Sequence, residues 1–400
     1  MSINVMPQRQ KSGLRMPIAH GALRRTVSPL TLVLSFLLAL GFCAVSGCSI
    51  EDSLQESVRA AAGSAAISDQ SRSFAAEMPV PQTSETQLED GLSCVLFEGD
   101  DLIDEFLESG GAKNDREVIA FLEHAISEEL EATRVSNGNA FGCSFIQTPN
   151  KNGGYITGRN FDWYSSQACI VDSRPFGGHS SISTINKEFL NMVGADVSKI
   201  PEAVFPLVYE YAPLDGMNER GLSVAVLMIE DNAKIDQDTG KPGITTTTAV
   251  RVLLDKASTV DEALEILGAC DMHSSFGYMV HFALSDAMGR SVVVEYIDND
   301  MVITETPVVT NFYLTEGPKK GIGSEQSHER YRTLMDKLAS AAVFDEAAVV
   351  EALESVSKHH FRDGETTEWS QIMDQQSSTV TYFHREDYSN AYVFRIGGQK

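Results

Sequence analysis

Short strand-like segments joined in pairs by turns dominate the sequence after residue 142, and they constrain its fold most. Asn-, Asp- or Gly-rich stretches separate the members of most pairs, which predicts antiparallel hairpins. Alternation around such a turn is seen in Met279–Ser285 and Ser291–Ile297. The predicted pairs are Cys143–Thr148 with Tyr155–Asn160, Val204–Tyr211 with Leu222–Ile229, Met279–Ser285 with Ser291–Ile297, and Thr379–His384 with Ala391–Arg395.

Helical segments lie before and between these hairpins. Apolar residues recur every three to four positions in Asp115–Thr133, Thr245–Ala257, Val260–Leu267, Glu329–Ser340 and Asp345–Val356. Thr259 with Glu262 three residues later forms a capping-box pattern at one helix start. Pairs of helices inserted between hairpins predict a layered α+β fold, with two sheets covered by helices.

The charge of the chain excludes some classes of function. Its 400 residues include 31 basic and 56 acidic side chains, for a formal net charge of −25. Residues 1–47 hold five of the basic side chains and none of the acidic ones, so the remainder is still more acidic. A nucleic-acid-binding protein needs a basic face that releases counterions, so we expect no nucleic-acid partner.

Residues 1–47 have the order of an export signal. Basic residues come first, an apolar run follows over Leu30–Leu40, and a Val-Ser-Gly sequence precedes Cys48. The run is too short to cross a bilayer comfortably, which is typical of a signal peptide. The Val-Ser-Gly-Cys ending resembles the bacterial lipobox, which implies lipid attachment at Cys48. An ordinary signal peptide or a retained anchor helix are the alternatives.

These features predict an exported protein that is lipid-anchored to a bacterial membrane and faces away from the cytoplasm. Residues 48–92 are rich in Ser, Ala, Gln and Glu and are interpreted as a flexible tether. Residues 93–142, which include the predicted helix from Asp115, precede the hairpins of residues 143–400. Because exported chains can form disulfides, pairing among Cys94, Cys169 and Cys270 stays open.

A cysteine opens the first hairpin, with an arginine 16 and an aspartate 19 residues later. Hairpin pairing is expected to bring Arg159 and Asp162 near Cys143. A neighbouring guanidinium favours the thiolate that a nucleophilic cysteine needs. The alternative is a buried, inert Cys143 with a surface Arg159–Asp162 pair. No CxxC pair or His-x-x-Glu-His cluster in the sequence indicates a zinc site, and we expect no metal or cofactor.

Several blocks of sequence resemble the choloylglycine hydrolase family, which includes bile salt hydrolases and penicillin V acylases. The first is Gly142-Cys143 followed by Gly158-Arg159-Asn160-Phe161-Asp162-Trp163. Similar blocks follow in the family's order at Asp215–Leu222, Ser285–Glu295, Val309–Asn311 and Glu329–Tyr331. The resemblance covers about Cys143–Ile396, and five blocks in order make it specific.

The resemblance implies an N-terminal-nucleophile (Ntn) hydrolase with an αββα sandwich, in which self-cleavage at Gly142–Cys143 exposes the cysteine. Residues 93–142 would then be a helical pro-segment and residues 143–400 the catalytic domain. Cys143 would attack an amide carbonyl, with its own α-amino group as base, and form an acyl-thioester. The implied roles of the remaining residues are thiolate stabilisation by Arg159, α-ammonium binding by Asp162, oxyanion binding by Asn311 and cohesion of the cluster by Arg330. Bile salt hydrolases carry Asn where this chain has Met228, so a backbone N–H is the expected second oxyanion donor.

The predicted activity is hydrolysis of a small-molecule linear amide. Phe161, Trp163 and Tyr164 are candidates for the substrate pocket, with a role in the core as the alternative. An acyltransferase of the same superfamily would use the same residues, and a non-catalytic lipoprotein that binds acyl amides is a further alternative. The sequence does not identify the acyl amide, and it leaves a homo-oligomer open.

Overall fold

Antiparallel strands are the commonest regular elements in the computed structural model of the chain, which describes residues 85–126, 142–192, 204–359 and 364–398. The strands are β1 (Thr86–Glu89), β2 (Leu92–Gly99), β3 (Gly142–Pro149), β4 (Tyr155–Trp163), β5 (Ala168–Pro175), β6 (Ser181–Asn186), β7 (Asp215–Asn218), β8 (Ser223–Met228), β9 (Gly243–Thr245), β10 (Asp271–His273), β11 (Val280–Ser285), β12 (Ser291–Ile297), β13 (Asp300–Glu305), β14 (Val308–Val309), β15 (Thr366–Asp374), β16 (Thr379–His384) and β17 (Ala391–Arg395). The helices are α1 (Ile103–Glu108), α2 (Asp115–Ile126), α3 (Lys187–Met192), α4 (Phe205–Glu210), α5 (Thr246–Lys256), α6 (Val260–Ala269), α7 (Glu325–Ser340) and α8 (Glu346–Glu354).

Two large sheets form the centre of the structure. One has nine strands in the order β1-β2-β5-β6-β7-β8-β11-β12-β13, and the other has six in the order β14-β3-β4-β15-β16-β17. The neighbouring strands pair antiparallel, except that β2 and β5 are parallel. The short strands β9 and β10 form a separate parallel pair.

Alternating side chains bury both faces of each sheet. In β8, Val224 and Val226 belong to the core beneath the helices, while Ala225 and Leu227 belong to the core between the sheets. This two-residue period is what a strand between two layers requires. Helices α5 and α6 contribute to the core on the outer side of the nine-stranded sheet, and α7 and α8 pack on the six-stranded one. The predicted α+β fold with four layers, αββα, is confirmed.

The region before Cys143 differs from the predicted organisation. It was expected to be a tether up to residue 92 and helical beyond it, but β1 lies within the expected tether and β2 covers Leu92–Gly99. Strand β2 pairs over its full length with β5, which comes after Cys143 in the chain. Its apolar side chains therefore complete the large sheet, so residue 143 does not mark a boundary in the fold.

The prediction of a strand over Val204–Tyr211 is wrong, because this segment contains helix α4. A short apolar run fits a buried strand or a buried helix equally well. Here Pro206 occupies the first turn, where a missing N–H costs nothing. Val208 and Tyr209 pack in the core that α4 shares with β2 and β5. Residues 215–218, predicted to be part of a turn, form β7 and pair with β8.

The remaining hairpins and helices follow the predictions closely. Helix α2 begins at Asp115 as predicted and is described to Ile126; the predicted continuation to Thr133 lies outside the described residues. The leader, Cys48 and nearly all of the tether also lie outside them. Among the residues that are described, no helix is long and apolar enough to cross a membrane.

Replacing Phe106 by Ala should lower the free energy of unfolding by about 3–5 kcal/mol, because the buried ring in α1 packs edge-on against Phe121 and Tyr211. Urea unfolding followed by circular dichroism measures the change. The exposed Glu105→Ala in the same helix is the control and should shift stability by no more than about 0.5 kcal/mol. Equal stability of the Phe106→Ala and control proteins would contradict a structural role for the region before Cys143.

Candidate active site

The β3–β4 hairpin separates the candidate side chains onto two faces. Cys143 lies opposite Phe161, and Gly142 lies opposite Asp162. Because side chains alternate along a strand, Cys143, Phe161 and Arg159 share the face between the two sheets. Asp162 points to the other face, towards helices α7 and α8. The hairpin therefore brings Arg159 and Asp162 to Cys143 as predicted, but from opposite sides of the sheet.

Arg159 is completely buried and held by acceptors from both sheets. Its Nε lies 3.3 Å from Asp215 Oδ2, one terminal nitrogen donates to the Val226 carbonyl at 2.8 Å, and the other donates to the Asn160 carbonyl. Burial alone would lower the pKa of Arg159, but the neighbouring Cys143 and Asp215 side chains raise it above its usual value. The site thus keeps a fixed positive charge beside the thiol.

Asn311 binds the backbone of the cysteine. The Cys143 N–H donates to Asn311 Oδ1 at 2.6 Å, and Arg330 donates to the same oxygen at 2.8 Å. Two donors at one atom identify it as the amide oxygen, so the nitrogen points the other way. That nitrogen donates to the Met228 carbonyl at 2.7 Å. An amide nitrogen carries two hydrogens, so a second N–H is available for a ligand.

Arg330 joins helix α7 to strand β3. Besides Asn311, its guanidinium donates to the Cys143 carbonyl, to Ser144 Oγ at 2.9 Å and to Ser327 Oγ at 3.1 Å. Burial lowers the pKa of Arg330, although an arginine stays charged at any physiological pH. These bonds fix the position of Cys143 along β3.

Asp162 is fully buried beneath the start of β3. Its Oδ1 accepts from Thr367 Oγ at 2.7 Å, and its Oδ2 lies 3.7 Å from the Arg330 guanidinium. Gly142 is packed against the same carboxylate: a Cβ added there would overlap Asp162 and would lie 2.8 Å from Lys358 Nζ. The carboxylate and the ammonium group therefore both lie next to the Gly142–Cys143 bond.

The thiol of Cys143 borders a pocket of about 460 Å³ that is partly open to solvent. Phe161, Trp163 and Met228 are among its mostly apolar wall residues. Phe161 stacks on Trp369 with ring centroids 3.9 Å apart, which makes this wall rigid. Tyr164 is not among the wall residues and is 39% exposed. The structure therefore brings Phe161 and Trp163 to the cysteine but not Tyr164.

Sequence reasoning assigned no role to Asp215 or Thr367. Asp215 accepts the indole N–H of Trp369 at 2.9 Å and lies beside Arg159, so it orients the guanidinium that faces the thiol. Burial raises the pKa of Asp215, and Arg159 opposes that change. Asp215 opens one of the quoted sequence blocks, which is a signal that could have found it. Thr367 stands in a strand that was not predicted.

The other described cysteines have a different environment. The structure shows no disulfide among the four described cysteines, Cys94, Cys143, Cys169 and Cys270. Burial raises the pKa of Cys169 to about 12, which makes its thiolate inaccessible near neutral pH. In the described part of the chain, no group of three or more His, Cys, Asp or Glu side chains could hold a metal ion.

Comparison with known proteins identifies the family. The family model for linear amide C–N hydrolases of the choloylglycine hydrolase family matches residues 143–349, beginning at the cysteine that faces the pocket. The chain belongs to this family. The Ntn-type αββα sandwich that the family resemblance implied is the four-layer arrangement seen here.

Individual relatives share between 15% and 33% of their aligned residues with this member of the choloylglycine hydrolase family. A penicillin V acylase from Pectobacterium atrosepticum is 33% identical over 99 residues, which cover 22% of this chain and 26% of that protein. The structure of a penicillin V acylase from Agrobacterium tumefaciens is 20% identical, with a TM-score of 0.46 over 63% of this chain and 86% of that one. A conjugated bile acid hydrolase from Clostridium perfringens is 15% identical, with a TM-score of 0.49 over 64% and 93%.

Replacing Gly142 by Ala in this family member should destabilise it by about 1–3 kcal/mol, because the added methyl group overlaps Asp162 and Lys358. Thermal unfolding of the Gly142→Ala protein measures the effect. Gly177→Ala is the matched control, since a Cβ there meets no atom within 4 Å. If both variants melt like the unmodified protein, the close packing of Gly142 is refuted.

Proposed function

We propose that this family member hydrolyses a small-molecule linear amide with Cys143 as an N-terminal nucleophile. The observation that carries the proposal is the position of Cys143, whose side chain borders an apolar pocket while a buried guanidinium lies beside it. A fixed cation near a thiol favours the thiolate, which is the attacking species.

Self-cleavage would generate the N-terminus. Cys143 Sγ attacks the Gly142 carbonyl carbon, the C–N bond breaks, and the acyl group passes to sulfur. Water then hydrolyses this thioester and leaves a Gly142 carboxylate and a free α-amino group on Cys143. The packing of Gly142 against Asp162 and Lys358 supports this step, because it holds the bond still beside charged groups that can bind the new termini.

Substrate turnover would follow the same chemistry. The Cys143 thiolate attacks the amide carbonyl, the α-ammonium group protonates the leaving amine, and water hydrolyses the acyl-thioester. An α-amino group has a pKa near 8 in general, which suits proton transfer at neutral pH. Asp162 would hold this group in place. In the acyltransferase alternative, an amine would attack the acyl-thioester in place of water and form a new amide. Product analysis with and without an added amine tests this alternative.

Asn311 and Met228 would bind the oxyanion. The second N–H of the Asn311 amide and the backbone N–H of Met228 are the proposed donors, and both residues lie next to the cysteine. Such donors act on charge that exists only in the tetrahedral intermediate. Arg330 would support them indirectly, because it fixes the orientation of Asn311.

The localisation is proposed from the leader alone. Cleavage before Cys48 and lipid attachment to that residue would anchor the enzyme to a bacterial membrane, facing away from the cytoplasm. Mass spectrometry of the N-terminal peptide should find a lipid on Cys48, and Cys48→Ala should release the protein or leave an unprocessed precursor. If the protein without this substitution is soluble and its N-terminal peptide carries no lipid, the proposed anchor is refuted.

Purified protein should contain a fragment that begins at Cys143, detected by N-terminal sequencing of reduced samples. Cys143→Ala should remain uncut, because the attacking sulfur is absent. Cys169→Ala is the matched control, since that thiol is buried elsewhere, and it should be cut normally. Full amidase activity in a chain whose Gly142–Cys143 bond is intact would rule out the N-terminal mechanism.

Asn311→Ala should lower kcat about 100- to 1,000-fold and change KM little, the signature of a donor that acts in the transition state. Met228→Ala should have a much smaller effect, because only its backbone N–H is proposed to take part. Steady-state kinetics must use protein confirmed to begin at Cys143, because slower self-cleavage would otherwise imitate the loss. If Met228→Ala lowers kcat strongly and Asn311→Ala leaves it unchanged, this assignment of the oxyanion donors is wrong.

A further inference from the structure

A second pocket adjoins the one that Cys143 borders. It has a volume of about 510 Å³, part of which is open to solvent, and it shares three wall residues with the first pocket: Phe189, Thr247 and Phe276. Its other walls come from α2, from Leu190 of α3, and from the end of α4 with the residues that follow it. The two pockets therefore meet at a common wall.

Phe276 is held in an unusual backbone conformation at this wall. Its φ is +57°, in the left-handed region that residues other than glycine seldom occupy. Its N–H donates to Asp115 Oδ2 at 2.8 Å, and the preceding N–H, of Ser275, donates to Thr246 Oγ at 3.1 Å. Asp115 is the first residue of α2. A carboxylate from the region before Cys143 thus holds the backbone that carries the aromatic ring between the two pockets.

Near this wall, core packing and a backbone hydrogen bond join the region before Cys143 to the rest of the protein. Val118 and Leu122 of α2 line the second pocket and also belong to the large core beneath the nine-stranded sheet. The backbone of Ala112 donates to the Gly243 carbonyl at 2.8 Å. A chain cut after Gly142 would retain these contacts, so the second pocket would persist in the processed enzyme.

We propose that the second pocket is a distal acyl subsite for aliphatic N-acyl amides. This rests on the proposed function: the amide carbonyl lies at Cys143, the acyl chain fills the first pocket, and its far end passes Phe276 to lie against α2. The apolar walls suit methylene groups, and a flexible chain can follow a path that bends at the shared wall. The upstream region would then set the acyl length that the enzyme prefers.

Ala212→Phe tests the subsite, because Ala212 lines the second pocket but not the first and its replacement fills space there. Amides of one amine with acyl chains of about 4 to 14 carbons provide the length series. In the unmodified enzyme, each methylene that the subsite buries should raise kcat/KM about fourfold. Ala212→Phe should lower kcat/KM at least about tenfold for the long chains and less than about twofold for the shortest.

Ala120→Phe is the matched control, since Ala120 is exposed on α2 and lines neither pocket; its length profile should equal that of the unmodified enzyme. Ala212→Leu replaces Ala212→Phe if the latter does not fold. An equal loss at every acyl length, or an unmodified enzyme indifferent to length, would overturn the subsite.

Calorimetry with hexanoate and dodecanoate separates this inference from the proposed function, because it measures binding without turnover. Dodecanoate should bind more tightly than hexanoate, and Ala212→Phe should remove that difference. If no amide is hydrolysed but dodecanoate binds in this way, the proposed function fails and the subsite stands. Equal affinities for the two carboxylates in the unmodified protein would refute the subsite even if amides are hydrolysed.

Discussion

The buried guanidinium of Arg330 organises the site. A charge removed from water is costly unless hydrogen-bond acceptors surround it, and here the acceptors are the Cys143 carbonyl and the side chains of Ser144, Asn311 and Ser327. These groups come from β3, from the loop after β14 and from α7 itself. Hydrogen bonding to this one arginine therefore sets the position of the Cys143 backbone and the orientation of the Asn311 amide that binds it.

The strand that carries Cys143 separates two kinds of chemistry. The face between the sheets holds the thiol, Arg159 and the apolar pocket, whereas the face towards the helices holds Asp162 and Arg330. The backbone nitrogen of the cysteine lies between them. In the proposed mechanism, this arrangement places the sulfur on the substrate side and leaves the α-amino group within reach of polar groups that do not fill the pocket.

Local sequence was sufficient where partners are close along the chain. The β3–β4 hairpin was predicted because a six-residue turn joins its strands, and its register accounts for the approach of Arg159 to Cys143. Prediction from local sequence failed where the partner is distant along the chain. Strand β2 pairs with β5, which begins about 70 residues after β2 ends, and nothing in the sequence pattern of β2 specifies that partner. Asp215 was overlooked for the same reason: it lies in the nine-stranded sheet, and its role depends on Arg159, which lies in the six-stranded sheet.

The parallel pairing of β2 with β5 has a consequence for the lifetime of the enzyme. A cut after Gly142 would leave these two strands on separate polypeptides, side by side in one sheet. Folding before the cut is unimolecular, whereas reassembly after it would require two fragments to meet and would depend on their concentration. A processed molecule that once unfolded would seldom recover at high dilution. Its persistence would then be governed by the rate of unfolding rather than by an equilibrium.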